Sequence, residues 1–144
     1  MKLSPNFTLE ELTHSQIAVR KGIKNEVNPV IKNNLTITAA NMEAVRKLLG
    51  DNPILISSGY RNLEVNRAVG GSTKSAHMEG WAVDFTCPQF GTPQEIVHKL
   101  KDSDIKFDQV IEEGTWVHIS FAPARRRQVV KATFKNGKAS YTIY

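Results

Sequence analysis

The sequence predicts a single α+β domain in which N-terminal helices pack on a mainly antiparallel sheet. Three observations predict it. Apolar residues recur at helical steps from Leu35 to Leu49, short β-branched or alternating runs follow from Ile54 onward, and Asn136-Gly137 separates two strand-like runs near the C-terminus. The chain has 144 residues, 40% apolar and 23% charged. That suits one hydrophobic core, since domains run to roughly 100–200 residues.

Each element has a local cause. Thr8 with Glu11 has the form of a capping box and opens a helical turn over 9–12, and Ser15 caps a second turn that ends before Gly22. These make residues 1–30 a helical arm packed on a domain spanning 1–144. Leu35, Ala39, Met42, Val45 and Leu49 share one face of a helix that Gly50 terminates. The run 54–58 is too short and too β-branched for a core helix, so it reads as a buried strand broken by Gly59. Residues 62–68 form a short helix and Gly70-Gly71-Ser72 a loop, leaving Arg61 where the strand exits. In 81–85 the alternation puts Trp81, Val83 and Phe85 on one face and Ala82 and Asp84 on the other. Thr92-Pro-Gln-Glu95 combines cap, first-turn proline and capping glutamate, predicting a helix to about Leu100. Two hairpins complete the order: 107–112 with 116–121, and 129–134 with 138–143 around Asn136-Gly137.

Composition narrows the chemistry. One cysteine excludes an internal disulfide and a thiolate zinc site, so a metal here needs histidine and carboxylate ligands. Nineteen Lys and Arg against 14 Asp and Glu give a net charge of +5, which suits anionic partners in general. The start, Met1-Lys-Leu-Ser-Pro-Asn, lacks the apolar core of a signal peptide, and no run approaches the roughly 20 apolar residues of a membrane span. The expectation is therefore cytoplasmic synthesis, no membrane insertion and a monomer. Work on a cell wall would then require release by another factor.

Of the four histidines, two stand in a pattern. His77 lies in a Ser/Gly-rich loop seven residues before Asp84, and His118 lies inside a hairpin strand. Two imidazoles and one carboxylate, with a position left for water, are what a catalytic zinc requires. A strand histidine also suits a purely structural role, and spacing alone does not decide between them.

The stretch Ser75-Ala-His77-Met-Glu-Gly80-Trp-Ala82-Val-Asp84 resembles the Ser-x-His-x-x-Gly-x-Ala-x-Asp signature of the M15 zinc peptidases, and Trp116-Val-His118-Ile-Ser extends the match. Asn6-Phe-Thr-Leu-Glu-Glu-Leu, Ile56-Ser-Ser-Gly-Tyr-Arg61, Ala68-Val-Gly-Gly-Ser72, Phe107-Asp-Gln-Val-Ile and Arg126-Arg-Gln-Val are similar to further family segments. The nearest likeness is to the small D-Ala-D-Ala carboxypeptidase-like members found in bacteriophages and prophages. It implies a Hedgehog/D-Ala-D-Ala peptidase-like fold with one Zn(2+) per chain, held by His77, Asp84 and His118. It also implies hydrolysis of D-amino-acid-containing bonds in bacterial peptidoglycan stem peptides, as a D-Ala-D-Ala carboxypeptidase or a wall-lytic endopeptidase.

The same resemblance assigns the remaining roles. Many members carry their acid/base residue three positions before the last histidine, where this chain has Thr115. Thr115 cannot act as a base. In the nearest relatives a glutamate recurs five residues after the Asp of the Asp-Gln strand, which is Glu113 here, with Glu112 the alternative. Successive strand side chains alternate, so only one of the two faces the metal. Arg61 matches an arginine tied to substrate recognition, and a guanidinium can grip a terminal carboxylate through two parallel bonds. From the residues themselves, Ser75 is a candidate for binding Asp84 or substrate or for stabilising its loop, and Gln109 for supporting His118 if the first hairpin closes tightly.

His14 and His98 show no partner pattern, Cys87 reads as a small buried thiol, and Trp81 and Trp116 as core or cleft wall rather than dedicated sugar-stacking platforms. Arg125-Arg126-Arg127 reads as a solvated strand start, and no recognition motif supports nucleic-acid binding. A non-catalytic, metal-containing wall-binding or phage structural module of the same fold is the competing expectation.

Overall fold

In the computed structural model, which describes residues 1–144, the capping box at Thr8 is formed. Its hydroxyl accepts from Glu11 N at 3.1 Å while Glu11 Oε1 accepts from Thr8 N at 2.8 Å. This opens α1 (Leu9–Thr13), and Ser15 caps α2 (Gln16–Lys21), which ends at Gly22 with φ +67°. The N-terminal segment is not wholly helical. Lys2–Ser4 (β1) and Phe7–Thr8 (β2) pair as a small antiparallel ribbon. Glu43 pins it by accepting from Ser4 Oγ, Asn6 N and Asn6 Nδ2 at 2.6–2.7 Å.

The long helix α3 (Pro29–Leu48) starts earlier than its apolar stripe, because Asn28 caps it and Pro29 fills the first position. Ile31 of its first turn already packs against the core, one turn ahead of the stripe read from Leu35. Next come β3 (Leu55–Ser58), α4 (Leu63–Ala68) capped by Asn62, a 3-10 turn over Ala76–Glu79, and β4 (Ala82–Thr86). α5 (Pro93–Lys101) forms with the capping box expected at Thr92 and Glu95. The chain ends in β5 (Gln109–Glu112), β6 (Val117–Ser120), β7 (Gln128–Lys135) and β8 (Lys138–Ile143).

The six longer strands form one sheet in the order β3-β4-β6-β5-β7-β8. Both hairpins are present, but the expectation of a mainly antiparallel sheet is corrected. The sheet is mixed, because β7 pairs parallel to β5 instead of extending beside β6. The connection after β6 has to cross the end of the β5–β6 hairpin to reach the far side of β5. Arginines clamp that crossover. Arg126 grips Asp108 with Nε and Nη2 at 3.0 Å each, and Arg127 caps carbonyls of residues 100–105 while lying 4.6 Å over the Phe107 ring. The arginine run is thus a structural clasp and not merely a solvated strand start. Arg125 and Arg127 adopt positive φ of 46° and 53°, so the clasp holds a costly backbone.

One face of the sheet carries the core. Val83 and Phe85 of β4 and Val117 and Ile119 of β6 are fully buried with Met42 and Val45 of α3 and Ile96 and Leu100 of α5. Trp81 precedes β4, is half-buried and lies outside this cluster, contrary to the alternation expected for 81–85. The run at 54–58 is likewise an edge strand and not a buried one. It has a single neighbour, and Leu55 remains 55% exposed.

Candidate metal centre

Strand alternation decides which side chains leave the core. Asp84 lies between buried Val83 and Phe85, so its carboxylate faces the opposite side of the sheet. In the β4–β6 register Asp84 stands directly opposite His118. Cross-strand neighbours share a face, and His118 Nδ1 lies 3.0 Å from Asp84 Oδ1. The third group comes from the 3-10 turn. Ser75 caps that turn, accepting from His77 N at 3.2 Å, and Gly80 ends it at φ +80°, so His77 is delivered over the strand pair. His77 Nε2 lies 3.2 Å from the same Asp84 oxygen, and the imidazole planes meet edge to face with centroids 5.1 Å apart.

A second contact fixes the His77 tautomer. Its Nδ1–H donates to the Gly59 carbonyl at 2.7 Å, which leaves the Nε2 lone pair turned toward the Asp84 carboxylate. Burial pushes the His77 imidazole below its ordinary value despite the opposing pull of Asp84, favouring the neutral ring. Burial opposes the Asp84 charge, yet the facing imidazoles, His118 foremost, hold the carboxyl well below the ordinary carboxylate range. A neutral nitrogen lone pair facing a carboxylate oxygen is not a hydrogen bond. It is a place for a cation.

The donor set fits zinc. Ligand atoms of His77, Asp84 and His118 all lie within 4.8 Å of one another. Donors on neighbouring corners of a tetrahedron with arms of about 2.0–2.1 Å sit roughly 3.3 Å apart, close to the Asp84 separations from both histidines.

The three residues line an open cleft of ≈ 660 Å³ that also includes Arg61, Ser75, Gln109 and Glu113. Arg61 Nη2 donates to Ser75 Oγ at 3.2 Å, while its Nε is buried without a partner. Ser75 therefore ties the arginine to the His77 turn and makes no bond to Asp84. Gln109 Nε2 donates to Gln128 at 2.8 Å, and Gln109 pairs in register with Ser120, two residues from His118. Burial raises the Glu113 carboxyl, with His118 opposing and Asp84 adding to the rise. Glu112 is absent from the cleft lining. It is buried, accepts from the Tyr144 hydroxyl and lies 3.8 Å from Lys131 Nζ.

His14 and His98 are exposed and away from this cleft, and buried Cys87 lies against the Asn52 carbonyl. Three features of the site were not anticipated: the Gly59 carbonyl, the Asp108–Arg126 pair in the cleft wall, and the aromatic pair Phe134 and Tyr141 beside Trp116. A backbone carbonyl leaves no residue-type signal. The aromatic pair becomes visible only once the parallel β5–β7 pairing is known.

The peptidase M15 family model matches residues 5–120, a span holding all three candidate ligands. The chain belongs to the M15 family of zinc peptidases. Within it, 51 residues are 39% identical to a zinc D-Ala-D-Ala carboxypeptidase of Streptomyces albus G. That alignment covers 35% of this chain and 20% of the relative, so it spans a minor part of the other protein's length. The M15 match ends at residue 120, before β7 and β8 begin. No helix is long and apolar enough to cross a membrane.

Proposed function

We propose that this chain is a zinc-dependent metallopeptidase hydrolysing D-amino-acid-containing peptide bonds of bacterial peptidoglycan stems. It would act as a D-Ala-D-Ala carboxypeptidase or a wall-lytic endopeptidase, as a monomer and in a phage or prophage setting. The observation that carries the reading is the lone pair of buried His77 turned onto Asp84 beside His118, at the floor of a cleft with Glu113 and Arg61. The relative's activity and the family match support its chemistry. Bound at His77, Asp84 and His118, one zinc would supply Lewis acidity toward a scissile carbonyl and a lowered water pKa.

The chain's own residues do the rest. Glu113 is the general base, and its raised carboxyl suits taking a proton from water and returning it to the leaving amine. Glu112, tied to Tyr144, takes no part. Arg61, with an unpartnered buried Nε in the cleft wall, receives a substrate carboxylate, and Ser75 holds its other end. His77 stays neutral through its bond to Gly59, keeping its lone pair available to a cation.

Purified protein should hold one zinc per chain and release D-alanine or shorter stems from peptidoglycan, with activity lost to a chelator. Glu113→Gln should keep the zinc and lower turnover by about 100- to 10,000-fold. A metal-loaded protein that releases no product from any stem peptide would instead be the non-catalytic wall-binding module.

A further inference from the structure

The cleft has a wall that the peptide chemistry does not use. Trp116, Phe134 and Tyr141 line it at 36%, 55% and 57% exposure, high values for large aromatic side chains. Sheet register brings them beside the proposed base. β5 and β7 pair in parallel with Glu112 opposite Lys131, so Glu113 comes level with Ala132, and Ala132 in turn faces Tyr141. The small alanine leaves the row open between Glu113 and Tyr141. Glu113 is near enough that its charge, after burial, helps to raise the Tyr141 hydroxyl. Phe134 leans on the β5–β6 turn, where a Cβ on Gly114 would lie 3.7 Å from its ring.

We infer that Trp116, Phe134 and Tyr141 form a stacking platform for a pyranose ring, so that the protein takes stem peptides while they are still joined to their glycan strand. This rests on the peptidase reading above. A pyranose presents one C–H-rich face and a rim of hydroxyls. It therefore calls for a flat aromatic surface, whose negative face attracts polarised C–H groups, with polar side chains around it. Lys74, Glu79, Gln109 and Arg126 supply such groups in the same cleft. An apolar side chain would call instead for an enclosed pocket, and these rings are open to solvent. Because a stem peptide is linked at one end to a sugar, a cut in the sugar-proximal part of the stem places that sugar at the cleft rim, whereas a terminal D-Ala-D-Ala bond lies farther out by about 3.3–3.6 Å per intervening residue. Phe134 and Tyr141 lie on the β7–β8 hairpin, beyond the segment matched to the family.

The zinc-loaded protein should bind a β-1,4-linked N-acetylglucosamine tetramer in calorimetry. Phe134→Ala and Tyr141→Ala should each weaken that binding by about tenfold, whereas Tyr141→Phe should retain it. In parallel, the wild type should hydrolyse a disaccharide-linked stem peptide with a KM below that of the free peptide, and the alanine variants should bring the KM ratio toward one. Zinc content and melting temperature of the variants guard against misfolding, which exposed positions make a minor concern. Failure of the wild type to bind the tetramer overturns the platform. So does an equal loss on free and sugar-linked peptides, which would make the rings a peptide wall, or a dimer that the variants dissociate. Tetramer binding without hydrolysis of either peptide leaves the platform standing and removes the peptidase reading.

Discussion

Replacing Gly59 with alanine tests the metal site through its backbone support. Gly59 needs no unusual φ, so the case is steric. A Cβ there would sit 2.2 Å from the Leu12 carbonyl oxygen and 2.8 Å from its carbon, both backbone atoms at the end of α1. Leu12 is fully buried, and its carbonyl accepts from Tyr60 N at 2.7 Å, so the helix end cannot yield cheaply. The 59–61 segment must move instead, by about 1 Å to reach ordinary contact. A shift of that size stretches the 2.7 Å bond from His77 Nδ1 to Gly59 toward the limit of hydrogen bonding. Overpacking costs about 1–3 kcal/mol and the weakened bond about 1 kcal/mol more, so the melting temperature should fall by roughly 4 °C per kcal/mol. Freed from Gly59, the imidazole loses its fixed tautomer, and zinc affinity should drop about 10- to 100-fold. Competition with a chromogenic chelator measures the affinity, and thermal unfolding of metal-free protein measures the strain. A variant that melts lower yet binds zinc as tightly as the wild type would refute the claim that Gly59 poises His77.

Three further outcomes follow from the geometry. Asp108 is held below its ordinary value chiefly by hydrogen bonds from Arg126, so its stabilisation is full above about pH 4 and fades as pH falls through the lower folded value. Because the Arg126 side chain is 54% exposed, the effect should be about 1 kcal/mol, seen as a flatter acid limb of melting temperature in Asp108→Asn. Glu112→Gln should cost about 1–2 kcal/mol through the Tyr144 and Lys131 contacts while zinc stoichiometry, measured by atomic absorption, is unchanged. Chelation should destabilise the wild type by about 4 kcal/mol relative to free zinc at a thousand times Kd, and His118→Ala should abolish that difference in calorimetric melting.

What could be read from the sequence is what local chemistry writes into adjacent residues. The capping boxes at Thr8 and Thr92 and the hairpin at Asn136-Gly137 each need only a few neighbours, and each formed as expected. Asp84 was legible because alternation with Val83 and Phe85 sets its face, and His77 because its place in a signature is fixed relative to Asp84. Non-local pairing was not legible. Nothing in Val129 or Val130 says that the strand joins β5 in parallel, because that pairing depends on a crossover whose contacts, such as Arg126 with Asp108, join residues far apart in sequence. Nor does the β-branched run at 54–58 reveal that one side lacks a neighbour, which is what leaves Leu55 outside. The start of α3 was hidden for a different reason: Ile31 already begins the apolar stripe, but Lys32, Asn33 and Asn34 separate it from Leu35, so only the cap at Asn28 with Pro29 marks the start.

The pairing of Asp84 with His118 across β4 and β6 reaches beyond catalysis. A slip of one residue between these strands would turn one partner's whole side-chain set over, sending His118 into the apolar layer and Ile119 into the cleft. No cation could then be shared between the two strands. A zinc held by Asp84 and His118 would therefore favour the native alignment over the one-residue slip, because only the native register turns both side chains to the same face.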